Sequence, residues 1–168
     1  MLRLRNLGRA LGVNRLLEAS LGRRDYEDRF QAAMLGAIRP GDIVWDVGTN
    51  IRLYSKKFSA ITGLTGKVFA YEPSPTNLQR LNTAVASLVN VNVLPFALGE
   101  HEGVVVLEQG DDPLGATNRI VAKADRRSES EVEIQLSSGD GLVSSGAVAS
   151  SNVIKIDTEG FELALLLV

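Results

Sequence analysis

Short apolar runs alternate with helical periodicities between residues 42 and 96. Three of the runs are predicted to be buried strands: residues 42–47, 67–71 and 91–96. Between them, apolar residues recur at helical spacing in two groups: Ile51, Tyr54, Phe58 and Ile61, then Leu78, Leu81, Val85 and Leu88. Ser74-Pro75 is predicted to begin the second helix, with the serine as N-cap. This order predicts a parallel sheet with right-handed crossovers.

The pattern changes after residue 96. Residues 103–108 and 131–136 are strand-like, and the second segment alternates apolar and polar side chains. We predict that they form an antiparallel pair inserted into the main sheet, with residues 110–130 as a mobile loop over the site. Residues 152–157 are another predicted buried strand, followed by a helix from about Thr158. The fold class is therefore α/β and Rossmann-like, with a mainly parallel sheet and flanking helices.

The first 40 residues are predicted to be an N-terminal helical segment, separate from a domain over residues 41–168. Leucines recur near helical spacing in residues 2–20, and a second helix is predicted over residues 25–38, ended by Pro40-Gly41. Arginines interrupt the apolar stretch that a secretory signal needs, and no apolar run approaches the roughly 20 residues of a membrane span. We expect a cytoplasmic protein without membrane contact.

Composition excludes several kinds of chemistry. The 168 residues are 45% hydrophobic, which suits a globular domain, and the net charge of −2 gives no general attraction to nucleic acid. The chain has no cysteine, so disulfides, thiolate nucleophiles and cysteine-based zinc sites are excluded. His101 is the only histidine, which excludes a multi-histidine metal site. It lies in a polar turn and is expected to be a surface residue.

The strongest chemical signal is the turn Asp46-Val-Gly48-Thr-Asn50, between a predicted strand and a predicted helix. Glycine there allows a tight turn and a close approach of a ligand to the backbone. Glu72 follows at the end of the second strand, where an acid can accept hydrogen bonds from the ribose hydroxyls of an adenosine cofactor. The alternative for Glu72 is a solvated acid before a proline turn.

The turn from Asp46 to Asn50 is poorly suited to binding a pyrophosphate. Gly48 is the only glycine between Gly41 and Gly63, so the dinucleotide fingerprint G-x-G-x-x-G is absent. A cofactor with a ribose and no phosphate, such as S-adenosylmethionine, fits this turn better than a nicotinamide dinucleotide.

Four motifs in order resemble the FkbM-type S-adenosylmethionine-dependent methyltransferases, over roughly residues 40 to 162. They are WDVGTNIRLYS (Trp45–Ser55), YEPSP (Tyr71–Pro75), NVLPFALGEHEG (Asn92–Gly103) and VIKIDTEGFE (Val153–Glu162). The resemblance implies a methyltransferase of Rossmann-like fold that transfers methyl to a hydroxyl of a small molecule or sugar. Nucleic acid is not an expected partner.

The resemblance also implies residue roles. The predicted cofactor-binding residues are Asp46, Gly48 and Asn50 at the methionine part, Glu72 at the ribose, Pro73 and Ser74 at the adenine edge, and Ala97 and Leu98 beside the adenine or methyl group. Asp157 and Glu159 would face the reacting centre as the catalytic residues. Asp157 would act as general base, or with Glu159 would hold a divalent cation such as Mg²⁺. The alternative is that both acids only occupy the first turn of a helix.

Two features depart from the family pattern. Arg52 stands where the family generally has glycine, beside the expected position of the methionine carboxylate, and would weaken cofactor binding. The chain ends at Val168, which would leave the strand before Asp157 as an exposed sheet edge that an oligomer would cover. The alternatives to an active enzyme are therefore a truncated, non-catalytic methyltransferase remnant and, from the shared βαβ unit, a nucleotide- or NAD-binding oxidoreductase.

Overall fold

The computed structural model describes residues 28–49, 54–110, 118–121 and 131–158, and of residues 119–121 it describes only the backbone. The helix predicted over residues 2–20 and the predicted site residues Asn50, Arg52 and Glu159 lie outside these ranges. The chain divides into two units, Met1–Ala37 and Ile38–Val168. In the first unit, residues 28–37 are helical (α1), within the predicted second helix.

The second unit contains a four-stranded parallel sheet, as the sequence predicts. Its strands are β1 (Ile43–Val47), β2 (Lys67–Tyr71), β3 (Val91–Leu94) and β8 (Val153–Ile156), in the order β3-β2-β1-β8. All three pairings are parallel, and Val47 is in register with both Tyr71 and Ile156. The carboxyl ends of β1, β2 and β8 therefore lie at one edge of the sheet.

Two helices connect the first three strands. They are α2 (Tyr54–Thr62) and α3 (Pro75–Val85). Leu81 and Val85 of α3 pack against Ala70 of β2, and Phe58 of α2 is fully buried, so the predicted apolar stripes face the core. Gly63 has a φ of +66°, the left-handed conformation that commonly ends a helix. Ser74 is the N-cap residue of α3 and Pro75 follows it, also as predicted, although the serine side chain makes no capping hydrogen bond.

The two faces of the sheet carry different side chains because successive residues of a strand point in opposite directions. Trp45 and Val47 of β1 belong to an apolar cluster with Tyr71 of β2, and the Trp45 indole donates a hydrogen bond to the Ala149 carbonyl at 3.1 Å. Asp46 points to the opposite face and is fully buried there. The sheet therefore holds a charged residue inside one of its packed faces.

The later strands form a second sheet. They are β4 (Ala97–Leu98), β5 (Gly103–Glu108), β6 (Arg119–Val121) and β7 (Glu131–Ser137), in the order β4-β7-β5-β6. The predicted antiparallel pairing of β5 with β7 is present. It does not join the first sheet, because β4 occupies the free side of β7 and β6 occupies the free side of β5.

Residues between the two predicted strands are not all loop. Arg119–Val121 form β6 within the segment predicted as a mobile loop, and pair with Val106–Glu108. A six-residue helix, α4 (Gly139–Ser144), follows β7, with the Ser138 side chain accepting a hydrogen bond from the Gly141 amide. Within the described ranges, no helix is long and apolar enough to cross a membrane.

Candidate functional site

The carboxyl edge of the first sheet brings three of the predicted site residues together. The Gly48 amide donates to the Tyr71 carbonyl at 3.1 Å, and the Asp157 amide donates to the Val47 carbonyl at 3.0 Å. Gly48 therefore lies beside the end of β2, where Glu72 follows, and Asp157 lies on the other side of β1. This is the edge where open α/β sheets bind their ligands.

Gly48 is required by the packing of the chain itself. Its φ of +70° lies in the left-handed region, and a Cβ built there would collide with the backbone carbonyl of Asp157, whose carbon would lie at 2.9 Å. The same Cβ would approach the Thr158 Cγ2 at 3.2 Å. The sequence predicts that a ligand approaches the Gly48 backbone closely. In the structure the backbone of Asp157, the residue after β8, makes this close approach.

Glu72 is buried, with only 5% of its surface exposed, which overturns the alternative of a solvated acid. The Ser74 amide donates to its Oε1 at 3.0 Å, and the Thr49 hydroxyl donates a longer bond to its Oε2 at 3.4 Å. The carboxylate is therefore held by an amide and a hydroxyl beside the Gly48 turn.

The residues next to Glu72 in the sequence also carry buried polar atoms. Pro73 is half-buried and Ser74 is 1% exposed. The Ser74 hydroxyl has no hydrogen bond to the described residues, and neither has the hydroxyl of Tyr71. Burial raises the pKa of Tyr71, so this hydroxyl stays protonated. Such buried and unsatisfied polar atoms are uncommon and are expected to meet a ligand, a water or another part of the chain.

Asp46 lies beneath the turn and is held by two side chains. The Ser55 hydroxyl donates to its Oδ2 at 2.7 Å, and the Lys155 ammonium lies 3.3 Å from its Oδ1. Burial raises the pKa of the Asp46 carboxyl above its usual value, and Lys155 and Ser55 oppose this rise. The charge of Asp46 therefore depends on these two partners. Its predicted role at the methionine part of the cofactor stays a prediction.

Lys155 is the site residue that sequence reasoning missed. It is 6% exposed, and its ammonium donates to the Gly48 carbonyl at 2.8 Å and lies 3.5 Å from Oδ2 of Asp157. The ammonium also stands 5.5 Å from the ring centre of Tyr54, within the range of a cation–π contact. The available signal was a lysine inside the apolar run Val-Ile-Lys-Ile, because a buried charge needs partners.

Asp157 is half-exposed at the end of β8, with 50% of its side-chain surface accessible. Its predicted partner Glu159 lies outside the described residues. In the parts of the chain that the structure describes, no group of three carboxylate or histidine side chains could hold a metal ion.

Ala97 and Leu98 are buried in apolar clusters. Ala97 packs with Leu107 and Ile134 of the second sheet, and Leu98 packs with the cluster that includes Trp45 and Tyr71. Their predicted contacts with the cofactor stay predictions. His101 is exposed over 80% of its side chain, which confirms that it is a surface residue.

The chain is similar to known methyltransferases. The model of the methyltransferase FkbM domain matches residues 46–167. The hexuronic acid methyltransferase AglP of Haloferax volcanii is 33% identical over 127 residues, which cover 74% of this chain and 48% of the relative. The chain thus spans about half the length of that relative.

Two solved structures are similar to parts of this chain, with low TM-scores. A SAM-dependent methyltransferase from Aquifex aeolicus is 32% identical over 34% of this chain and 31% of its own, with a TM-score of 0.32. A SAM-dependent O-methyltransferase from Thermotoga maritima is 13% identical over 67% of this chain and 65% of its own, with a TM-score of 0.36. The match to the family model covers most of the chain. The chain therefore belongs to the FkbM family of S-adenosylmethionine-dependent methyltransferases.

Proposed function

We propose that this chain takes part in O-methylation, with S-adenosylmethionine as methyl donor and a sugar hydroxyl as acceptor. One observation carries the proposal: Glu72 is buried beside the Gly48 turn, at the carboxyl ends of two neighbouring parallel strands. The name of the Haloferax relative, a hexuronic acid methyltransferase, supports a sugar acid as the acceptor.

The residues around Glu72 suit an adenosyl cofactor. A carboxylate accepts hydrogen bonds from hydroxyl groups, which is what the ribose offers. The buried Ser74 hydroxyl, which makes no hydrogen bond with described residues, lies two positions further along the chain. Pro73 and Ser74 would border the adenine. Asp46, Gly48 and Asn50 would line the methionine part, and Ala97 and Leu98 would stand beside the adenine.

Asp157 is the proposed general base. The cofactor supplies a methyl group on a positively charged sulfur, so the protein needs mainly to align the acceptor and remove its proton. When bound, S-adenosylmethionine would supply the methyl group and leave as S-adenosylhomocysteine, and the Asp157 carboxylate would accept the proton of the acceptor hydroxyl. The half-exposed position of Asp157 supports this role, because the carboxylate can reach an acceptor arriving from solvent.

A divalent cation is the alternative way to activate the hydroxyl. Asp157 and Glu159 would be its ligands, since carboxylate oxygens suit Mg²⁺. The Lys155 ammonium, 3.5 Å from Asp157, opposes a second cation at that carboxylate. We therefore propose the base mechanism, and expect methyl transfer to continue in the presence of EDTA. Loss of turnover with EDTA and its return with Mg²⁺ would favour the cation.

Binding of S-adenosylhomocysteine tests the cofactor. Isothermal titration of the chain should give heat with S-adenosylhomocysteine and none with NAD, because the turn lacks the glycines that a pyrophosphate needs. Binding of NAD alone would support the oxidoreductase instead. Arg52→Gly should increase the affinity if this arginine obstructs the methionine part.

Turnover separates an enzyme from a non-catalytic remnant. The chain is incubated with S-adenosylmethionine carrying a labelled methyl group and with free hexuronic acids or their glycosides. A labelled methyl ether in the sugar supports the proposal. A chain that binds S-adenosylhomocysteine and labels none of these acceptors would act as a binding remnant.

We also propose that the edge of β8 takes part in self-association. Among the described strands β8 pairs only with β1, and its Ile154 is 50% exposed. Edge strands present unpaired backbone groups that favour pairing with another chain. Sedimentation should show a dimer that Ile154→Lys converts to monomer, with Val89→Lys as a control at another exposed apolar residue. A monomer at all concentrations would contradict this proposal.

A further inference from the structure

We propose that Lys155 is a positioning residue, which fixes the turn at Gly48 and the carboxylate of Asp157 relative to one another. This role presupposes the methyltransferase function proposed above and adds a residue to it. If Gly48 lies beside the cofactor and Asp157 beside the acceptor, one ammonium group sets the distance between the two halves of the reaction.

The contacts of the ammonium carry this inference. The Lys155 ammonium donates a hydrogen bond to the Gly48 carbonyl at 2.8 Å, and forms ion pairs with Asp46 Oδ1 at 3.3 Å and Asp157 Oδ2 at 3.5 Å. The neighbours belong to β1, to the turn after it and to the residue after β8. With a side chain only 5% exposed, Lys155 exchanges few of these contacts for water.

Two of the contacts of Lys155 lie just beyond the last paired residues of β1 and β8. The paired register of β1 with β8 ends at Val47 and Ile156. Gly48 and Asp157 are the next residues of each strand, beyond the last paired positions. The Asp157 amide still bonds to the Val47 carbonyl, but the Asp157 side chain and the Gly48 carbonyl depend on other groups. Lys155 contacts both from within the sheet.

The charges around Lys155 suit the same role. The single ammonium contacts two acids, Asp46 of β1 and Asp157 after β8, so it joins the ends of these two strands. A buried ammonium also needs hydrogen-bond acceptors besides an ion-pair partner, and the Gly48 carbonyl supplies one.

Charge-balanced variants separate positioning from simple neutralisation of Asp46. Asp46→Asn keeps Lys155 and its contacts with Gly48 and Asp157. Asp46→Asn with Lys155→Met removes both partners of the buried pair, so that no buried charge is left unpaired. Lys57→Met is the matched control, because Lys57 is exposed and stands 5.4 Å from the same Tyr54 ring.

Two measurements are made on the full chain. Titration with S-adenosylhomocysteine should show about tenfold weaker binding for the double variant than for Asp46→Asn, the loss expected of one charge-assisted hydrogen bond. Hydrogen–deuterium exchange should be faster in the double variant for the peptide that contains Gly48 and Thr49. Lys57→Met should match the wild type in both measurements.

The outcomes distinguish this inference from the proposed function. Equal affinity and equal exchange in the double variant and Asp46→Asn would overturn the positioning role, and Lys155 would then serve only to neutralise Asp46. A wild type without affinity for S-adenosylhomocysteine would overturn the proposed function, while the exchange measurement would still test whether Lys155 fixes the turn.

Discussion

Asp46 and Glu72 are two buried acids at the carboxyl ends of neighbouring strands, and their surroundings differ. Asp46 is fully buried against the ammonium of Lys155 and the hydroxyl of Ser55. Glu72 accepts a hydrogen bond from the Ser74 amide and a longer one from the Thr49 hydroxyl. Asp46 thus contacts an ammonium of its own chain, whereas the contacts described for Glu72 include two uncharged donors.

The difference between Asp46 and Glu72 indicates which of the two acids is expected to contact a ligand. A carboxylate already paired with a buried ammonium contributes mainly to the arrangement of the chain, because separating the pair leaves a charge without a partner. Glu72 lies beside the Gly48 turn, where its carboxylate could accept hydrogen bonds from the hydroxyl groups of a ribose. The expected division is that Asp46 supports the folded site and Glu72 contacts the cofactor.

The largest expected effect is that of Lys155→Met on stability. The substitution leaves Asp46 buried without its cation, and should lower the free energy of unfolding by about 3–5 kcal/mol at pH 8. Lys57→Met should change it by less than about 0.5 kcal/mol, since it alters an exposed side chain. Urea unfolding followed by circular dichroism measures both variants.

The loss of stability in Lys155→Met is expected to change with pH in one direction. Burial already raises the folded-state pKa of Asp46 above its usual value of 3.8, and removing Lys155 raises this pKa further. A raised folded-state pKa contributes stability below the unfolded pKa, and that contribution disappears as the pH rises through the folded pKa. The deficit of Lys155→Met should therefore be smaller at pH 5 than at pH 8. Equal deficits would show that Asp46 is not the source.

The next effect is that of Glu72→Gln on cofactor binding. The amide keeps an oxygen for the Ser74 amide but loses the negative charge, so the fold should be retained. Affinity for S-adenosylhomocysteine should fall about tenfold to a hundredfold, as for lost hydrogen bonds to a charged group. Glu100→Gln, the same change at an exposed acid, is the control. An unchanged affinity of Glu72→Gln would remove the main support of the proposed function.

The arrangement around Glu72 could be predicted from the sequence because it follows from local pattern. The apolar runs before Gly48 and Glu72 identify two buried strands, and consecutive strands joined by a helix are parallel neighbours. Their carboxyl ends then meet without any knowledge of the rest of the chain. The structure confirms both strands and their pairing.

The contacts of Lys155 could not be predicted in this way. They depend on the pairing of β8 with β1. Lys155 of β8 and Gly48, the residue after β1, are 107 positions apart in the chain. No local pattern specifies which earlier strand β8 will join. The second sheet escaped prediction for a related reason, because β4 contains only the residues Ala97 and Leu98, too few to show an alternation.

Ser55→Ala is expected to have a smaller effect than either substitution above. It removes the 2.7 Å hydrogen bond to Oδ2 of Asp46 and leaves that oxygen buried. The free energy of unfolding should fall by about 1.5 kcal/mol, the lower value for a hydrogen bond to a charged group. Urea unfolding checks this, with Ser59→Ala as a control that removes a buried hydroxyl bonded to the uncharged Asn90. A larger loss in the control would indicate that the charge of Asp46 contributes nothing to the bond.

Thr49→Val gives the smallest expected effect and is the counterpart of Ser55→Ala at the other acid. Thr49 is 1% exposed, so the valine methyl replaces a buried hydroxyl of similar size. The bond from this hydroxyl to Glu72 is 3.4 Å long, near the limit for a hydrogen bond, and Glu72 keeps the shorter bond from Ser74. We expect a loss of about 0.5 kcal/mol in urea unfolding. A loss as large as that of Ser55→Ala would mean that Glu72 relies on its neighbours as Asp46 does, and the contrast between the two acids would no longer identify which one meets the cofactor.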